Sequence, residues 1–294
     1  MATHIAGCGR WPTSDERAAW RAQRSVDRPR DGRLQALPCA VVADPDPLAP
    51  LAELPGVAAT GDEARDALGR AHRHKYNLRG WPTTAAEASV RAARASSVLD
   101  GGSLNLADAG DADPVLSGAL RVAEALEGGA TSMVGVWQRA PLQAIARLHA
   151  LAASDLTDDD RLGRPRPDAG VARRLQLLAD LVTGGSRVPA HILAAVAHGE
   201  LLTLEPFGVA DGVVARAVSR LITMSSGLDP HGLGVPEIYW MRQSGDYRAS
   251  ARGFASGTPD GLTAWLINCS RGLHAGAREA LSIAQAMTEQ RPAT

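Results

Sequence analysis

The segment from residue 194 to residue 216 holds the side chains with the clearest capacity for chemistry. His198, Glu200 and Glu205 place one imidazole and two carboxylates close together in the chain. Such a set could bind zinc, and His-x-Glu also occurs in zinc-dependent deaminases. The Pro-Cys-x-x-Cys motif of those enzymes is absent, and the three cysteines lie far apart without a Cys-x-x-Cys pair. We therefore assign no metal site to these residues.

A loop that opens with Glu-Pro-Phe at residues 205–207 follows, and Gly212 and Arg216 lie at the start of the next predicted helix. This stretch resembles the signature of the Fic (Fido-fold) family, which reads His-Pro-Phe-x-Asp/Glu-Gly-Asn-Gly-Arg-x-x-Arg. Aligned without a gap, Pro206, Phe207, Gly212 and Arg216 match the signature. His198 lies on the preceding predicted helix, where family members often carry an Ala-His pair. The differing positions are Glu205 for the catalytic His, Val209 for the metal-binding acid, Ala210 for the first Gly, Asp211 for the Asn and Val213 for the first Arg.

Segments on both sides of the signature also follow the order of the family. Ser96–Gly101 resembles its Ser-Ser-x-Ile-Glu-Gly segment, with Asp100 in place of the Glu. Further matches are Leu148–Leu151 with Gly163–Arg166 before the signature, and Pro236–Tyr239, Tyr247 and Ala264–Leu266 after it. The resemblance covers residues 70–290, and the chain is identified as a degenerate member of the Fic family.

This resemblance implies the transfer of a nucleotide monophosphate, usually AMP from ATP, to a hydroxyl side chain of a target protein. In such a site the helix start after the loop binds phosphate, because its free N–H groups and the macrodipole favour negative charge. An acid holds Mg²⁺, an arginine neutralises the terminal phosphates, and the histidine accepts the proton of the incoming hydroxyl. In the family the Glu before the signature pairs with the last arginine and blocks the site of the γ-phosphate, so the resemblance implies that Asp100 lies near Arg216. A separation above about 8 Å would contradict this, and a direct ion pair needs about 4 Å or less.

The differing positions remove most of this chemistry. Val209 cannot bind Mg²⁺, which requires oxygen ligands, and Val213 cannot neutralise phosphate. Asp211 puts a negative charge beside a negative substrate, and at roughly 4 Å with an effective dielectric near 20 the repulsion is about 4 kcal/mol. ATP with Mg²⁺ is therefore a disfavoured cofactor, although Asp211 could bind the metal two positions later than usual. Gly212 and Arg216 could still hold one anion.

Two residues remain as candidate catalytic groups. Glu205 could replace the histidine as general base, because burial can raise the pKa of a carboxylate into a useful range. The alternative is that Glu205 caps the next helix or pairs with an arginine. His198 could likewise be catalytic, or it could be a packed and hydrogen-bonded residue of a helix.

The segment Asp158–Gly170 stands where the family has a β-hairpin flap that pairs with the target backbone. It is short and contains Pro165 and Pro167. Proline cannot donate to a strand pair, so we expect an ordinary surface loop here and no binding of a peptide by strand addition.

Helical patterns with short loops predict an all-α fold over residues 61–294, and the resemblance implies that this helical domain is Fic/Fido-like. Residues 1–60 are predicted to form an irregular N-terminal arm, because Asp44–Pro50 reads DPDPLAP, and only Leu37–Val42 could be a short strand. In the first part of the domain, Thr60–Asp62 is expected to cap a helix that ends near Gly80, and Thr83–Thr84 to cap Ala85–Leu99. The later predicted helices are Val115–Glu127, Pro141–Ala153, Val171–Thr183, Pro189–Leu202, Gly212–Ser225, Pro236–Gly245, Tyr247–Ala255 and Leu262–Met287.

The composition is that of a globular protein, with 45% hydrophobic and 21% charged residues and a net charge of −1. No overall field favours nucleic acid or a membrane surface, and the basic cluster His72–Lys75 is interpreted as a solvated helix end. No signal sequence and no apolar run near 18 residues is visible, so we expect a soluble, cytoplasmic chain. The expected partner is a protein target or a small molecule, and a homo-oligomer is left open.

Three functions are consistent with these residues. We predict a regulatory or binding pseudoenzyme, because the base, the metal-binding acid and a phosphate-binding arginine are lost together. The first alternative is a divergent transferase or small-molecule enzyme with a pocket rebuilt around Glu205, His198, Asp211 and Arg216. The second is residual AMP transfer to a protein hydroxyl.

Overall fold

The computed structural model describes residues 45–108, 113–127 and 133–289. These residues form twelve α-helices and no β-strand, which confirms the all-α fold class. The predicted strand at Leu37–Val42 lies outside the described ranges. The helices are α1 (Ala49–Ala52), α2 (Val57–His72), α3 (Asn77–Leu99), α4 (Pro114–Leu126), α5 (Met133–Arg139), α6 (Pro141–Ala153), α7 (Ala169–Asp180), α8 (Ala190–Leu204), α9 (Asp211–Ser225), α10 (Pro236–Arg242), α11 (Ser244–Ser256) and α12 (Pro259–Glu289).

The predicted central pair is present as α8 and α9, which pack against each other. Every residue of α9 from Asp211 to Thr223 is buried, and α8 is apolar around its circumference, as expected for helices enclosed on all sides. One hydrophobic cluster joins both helices to α4–α7, and a second joins the other face of α8 to α10–α12. The loop between α8 and α9 is therefore held at both ends by buried helices.

The helical part begins before the predicted boundary at residue 60. Helix α1 contains Pro50 in its first turn, where the missing N–H of proline costs nothing. Gly56 then adopts a left-handed conformation with φ of 78°, and α2 starts at Val57, whose side chain is fully buried. Thr60, a predicted cap, instead lies inside α2 and donates to the carbonyl of Gly56 at 2.9 Å.

The predicted break near Pro82 is wrong, because α3 runs without interruption from Asn77 to Leu99. Thr84 does not cap a new helix; its hydroxyl donates to Asn77 Oδ1 at 2.8 Å and to the carbonyl of Trp81 at 3.1 Å. These bonds join the turns on either side of the proline. The sequence also gave no prediction of α5. None of the described helices combines the length and the apolar character needed to cross a membrane.

Candidate functional site

The loop between α8 and α9 has an unusual backbone. Glu205, which ends α8, has φ of 47°, and Ala210, which precedes α9, has φ of 55°. These are the only two residues other than glycine with positive φ in the described part of the chain, and Gly208 between them has φ of 84°. Left-handed backbone is unfavourable for residues with a Cβ and persists only where surrounding contacts hold it. The loop is therefore a strained turn that neighbouring groups must stabilise.

Asp211 provides the first of these contacts. Its carboxylate accepts the N–H of Phe207 at 3.0 Å and that of Gly208 at 2.7 Å, so it points back into its own loop. The side chain is buried, and burial raises its pKa to about 6 despite the two N–H donors. The consecutive N–H groups that could bind an external anion are thus bound to an internal carboxylate.

Arg166 holds the same loop from outside. Its Nε donates to the carbonyl of Glu205 and its Nη2 to that of Leu204, each at 3.0 Å. Its backbone N–H donates to the carbonyl of Pro206 at 2.8 Å. The segment Asp158–Gly170 forms no strand, as expected, but it is more than a surface loop, since it fixes the end of α8.

His149 of α6 supports the loop from the protein interior. Its imidazole stacks on Phe207 with a ring separation of 3.9 Å, and its Nδ1 accepts the N–H of Gly163 at 2.9 Å. Burial lowers the pKa of His149 to about 4, so the ring is neutral near pH 7.

We expect His149 to make the protein less stable in acid. Between pH 6.5 and pH 4 the unfolded chain takes up a proton that the folded His149 does not, so the free energy of unfolding falls as the pH falls. After a discount for solvent screening the loss is about 2 kcal/mol. In His149→Asn, which keeps an acceptor for Gly163, urea denaturation should reveal a flatter pH dependence over this range.

The same substitution at the partly exposed His274, which also removes one imidazole, is the matched control. Asp211 contributes the opposite slope, because its raised pKa makes stability fall as the pH rises from about 4 to about 6. For this reason the comparison is made between variants and wild type at each pH. If the free energy of unfolding of His149→Asn depends on pH as it does in wild type, then the folded wild type takes up a proton on His149 over this pH range.

The start of α9 is occupied by Asp100, the residue that follows α3. Asp100 Oδ2 accepts the N–H of Val213 at 2.9 Å, and its Oδ1 accepts Nη2 of Arg216 at 2.8 Å. The predicted contact between Asp100 and Arg216 is therefore present. Gly212 makes this approach possible, because a Cβ at that position would lie 2.3 Å from Asp100 Oδ1.

Arg216 is bound on several sides by groups of the protein itself. Its side chain is 2% exposed. Besides Asp100, it donates from Nε to Ser96 Oγ at 2.8 Å, from Nη2 to the carbonyl of Ser96 at 3.0 Å and from Nη1 to the Tyr247 hydroxyl at 3.4 Å. A buried guanidinium needs such partners, because an unpaired buried charge is costly. Arg216 is therefore a structural centre of the site as well as its main cation.

His198 is connected to Arg216 through Tyr247. Its Nε2 lies 2.7 Å from the Tyr247 hydroxyl, and the ring is fully buried between Trp240 and Trp265, with ring separations of 4.8 and 5.0 Å. Burial, with a smaller effect from Arg216, lowers the pKa of His198 well below its usual value. This geometry matches the predicted alternative of a packed and hydrogen-bonded histidine.

Glu205 lies apart from these residues. Its side chain is exposed and makes no hydrogen bond with the described residues, whereas its carbonyl accepts Arg166. Glu200 instead forms a two-pronged ion pair with Arg174, at 2.5 and 2.6 Å. His198, Glu200 and Glu205 therefore do not converge, and within the described ranges no group of three His, Cys, Asp or Glu side chains is placed to hold a metal ion.

A search with models of protein families finds no match to this chain. A search of curated proteins finds no match either. Among solved structures, the chain is similar to a Fic family protein from Desulfovibrio desulfuricans G20, with a TM-score of 0.61 and 17% sequence identity over 81% of this chain and 76% of that one. The chain has a Fic-like fold. At this identity the likeness extends to the fold alone, and what the site around Arg216 does must be argued from its residues.

The sequence alone assigns no role to three residues of the site around Arg216. Ser96 and Tyr247 lie in matched segments, yet only the fold brings both to Arg216. Arg166 is the last residue of the matched segment Gly163–Arg166, but its sequence position alone does not show that it binds the end of α8. A buried arginine predicts that several oxygen acceptors must surround it, and that requirement could have directed attention to the serine and the tyrosine.

Proposed function

We propose that this protein uses the Fic-like fold for binding or regulation and does not transfer AMP from Mg-ATP. The observation that carries the proposal is the position of Asp100. Its carboxylate bridges the N–H of Val213 at the start of α9 and the guanidinium of Arg216. A phosphate group needs the same helix start and the same cation, so it competes directly with Asp100.

The residues of the loop do not fit Mg-ATP. Val209 offers no side-chain oxygen, and the carboxylate of Asp211 is already bound to the N–H groups of Phe207 and Gly208. Turning Asp211 outward to bind a metal would leave those two N–H groups without an acceptor. The only cation of the signature, Arg216, is paired within the protein.

Neither candidate base is well placed for proton transfer at the start of α9. Glu205 is exposed, and its side chain makes no hydrogen bond with the described groups that surround Arg216. His198 is enclosed by aromatic rings and bonded to Tyr247, so a substrate hydroxyl reaches it only if that packing opens. A general base must come within hydrogen-bond distance of the proton it accepts.

Calorimetry with Mg-ATP tests the proposal on wild type and on Asp100→Ala. We expect no saturable binding by wild type and weak binding by Asp100→Ala, since that change frees the helix start and Arg216. Asp66→Ala, which removes an exposed acid of α2, is the matched control and should behave as wild type.

The transfer assay is independent of binding. Each protein is incubated with radiolabelled ATP and a cell lysate, and no label on a target is expected in any of them. Removing one catalytic group of this kind typically costs about a hundredfold or more in rate, and here several are missing together. Label that appears with wild type and disappears in Glu205→Ala would contradict the proposal.

The strained loop favours a second candidate, a divergent enzyme. Left-handed residues with a Cβ concentrate at functional sites, and this loop has two, at Glu205 and Ala210. Asp211, with a pKa of about 6, also titrates in the range of a useful acid or base. Loss of the label in Glu205→Ala, described above, is the result that would favour this candidate.

A further inference from the structure

A cavity of about 250 Å³ lies where the second half of α9 meets the first half of α3 and the end of α4. Met224 of α9 is part of its wall, and at 1.5 Å per residue it lies about 18 Å along the helix from Gly212. This outer cavity is therefore away from the helix start that Asp100 occupies. Its volume is sufficient for a substituted ring, since an apolar cavity of about 150 Å³ already binds benzene.

Much of the wall of the outer cavity is suited to an apolar ring. Trp81 forms one side, with its indole stacked on His231 at a ring separation of 4.0 Å. Burial lowers the pKa of His231, so this imidazole is neutral at pH 7. Val134 and Met224 add aliphatic surface, and Glu127, also in the lining, is exposed to solvent.

A smaller, inner cavity of about 30 Å³ adjoins the outer one. Ser89, Leu126 and Arg220, which belong to three different helices, line both cavities and stand at their boundary. Alanines of α3, α4 and α9 form much of the remaining wall of the inner cavity. A water molecule needs at least about 10–15 Å³ by this measure, so the inner cavity has room for one or two small groups.

The lining of the inner cavity includes a carboxylate with an unpaired oxygen. Glu237, the second residue of α10, is 3% exposed, and its Oε2 accepts no hydrogen bond from the described residues. Oε2 lies 3.8 Å from Nη1 of Arg220, beyond hydrogen-bond distance, and that guanidinium already donates to the carbonyls of Gly232 and Gly234. Both side chains also line a void of about 10 Å³, which holds at most one water. A buried carboxylate oxygen without a donor is costly and indicates a hydrogen-bonding group in the inner cavity.

The charges around Glu237 favour a neutral group. Arg216 and Arg220 line the same inner cavity, so an ammonium group there would meet two cations. A carboxylate would meet the negative charge of Glu237. Burial raises the pKa of Glu237, which favours a group able to bond both of its forms. A hydroxyl is such a group, because it donates to a carboxylate and accepts from a carboxylic acid.

We propose that the two cavities bind a small alcohol or phenol, with its apolar ring in the outer cavity and its hydroxyl on Oε2 of Glu237. The ring contacts Trp81 and the aliphatic side chains of the outer wall. The hydroxyl crosses the boundary formed by Ser89, Leu126 and Arg220. The inference goes beyond the proposed function, and it holds whether or not the start of α9 binds a nucleotide.

Benzyl alcohol, benzylamine and benzoate test the head group, because they share one ring and differ in charge. Each is titrated into wild type at pH 7, and the indole N–H signals are followed by NMR. We expect a saturable shift of the Trp81 signal with benzyl alcohol and no shift of the Trp265 signal, since Trp265 is buried in another cluster. The two charged compounds should bind at least about tenfold more weakly, because each brings an unpaired charge into a buried space.

Variants of each cavity test the placement of the ligand. Glu237→Met keeps the bulk of the side chain and removes the acceptor, so it should weaken the binding of benzyl alcohol at least about tenfold, whereas Glu237→Gln should stay within about threefold of wild type. Ala85→Leu reduces the outer cavity without touching Glu237 and should also weaken binding. Ala86→Leu changes the next residue of α3, which is outside the lining, and is the matched control.

Three results would overturn the proposal. They are the absence of a saturable Trp81 shift with benzyl alcohol, equal binding of the three compounds, and unchanged affinity in Glu237→Met when circular dichroism confirms that it is folded. The last result would mean that water alone occupies the inner cavity. Calorimetry with Mg-ATP is decided separately, so this proposal and the proposed function can fail independently.

Discussion

Replacing Arg216 with methionine is expected to lower the free energy of unfolding by about 3–5 kcal/mol. The substitution keeps the bulk of the side chain but removes the cation that faces Asp100, Ser96 and Tyr247. Asp100 then keeps its negative charge beside a methionine, and two further polar groups lose a donor. Urea denaturation monitored by circular dichroism at pH 7 gives the measurement.

Arg147→Met is the matched control, because Arg147 lies exposed on α6. We expect its effect to stay within about 0.5 kcal/mol. In a background of Asp100→Asn, which neutralises the partner, the cost of Arg216→Met should fall, and the difference measures the coupling of the pair. If Arg216→Met alone lowers the free energy of unfolding by less than about 1 kcal/mol, water replaces the guanidinium and Arg216 does not organise the site.

Gly212→Ala is expected to cost about 2–3 kcal/mol, although alanine is the better helix former. The new Cβ would lie 2.3 Å from Oδ1 and 2.6 Å from Oδ2 of Asp100, so the carboxylate must move. Moving it breaks the bond to the N–H of Val213 and the ion pair with Arg216. The thermal unfolding midpoint should fall accordingly.

Gly245→Ala is a close control, because Gly245 is also the second residue of a helix and a Cβ there meets nothing within 4 Å. It should be neutral or stabilising by up to about 1 kcal/mol. In a background of Asp100→Ala, Gly212→Ala should behave in the same way, since the clashing oxygens are gone. A cost that persists in that background would place the clash elsewhere.

Those parts of the site that depend on local pattern could be predicted from the sequence. The helix pair around the loop follows from two long apolar segments separated by Glu-Pro-Phe, and Pro141 and Pro236 correctly marked helix starts. The contact between Asp100 and Arg216 was predicted from the resemblance, because the family has an acid and an arginine at the same two positions. Short motifs carry such information because they specify one backbone geometry and one pair of charges.

Features set by tertiary contacts could not be predicted in the same way. The sequence predicts Asp211 as a repulsive charge or a metal ligand, whereas the turn of the loop brings the N–H groups of Phe207 and Gly208 to its carboxylate. The left-handed backbone of Glu205 and Ala210 runs against the preference of both residues and depends on Arg166 and on the buried helices. Helix α3 likewise continues through Pro82 because packing outweighs local preference.

Asp100 both occupies the start of α9 and compensates the buried charge of Arg216, and this double role has an evolutionary consequence. A mutation that removes the carboxylate to admit a ligand also leaves a guanidinium buried without its counter-ion. Native proteins have only about 5–15 kcal/mol of stability, so a lineage that takes this step approaches the threshold below which it no longer folds. A change at Val209 touches none of the groups that bind Asp100. A route to an open helix start must therefore begin with stabilising mutations elsewhere, and the present arrangement is easier to keep than to leave.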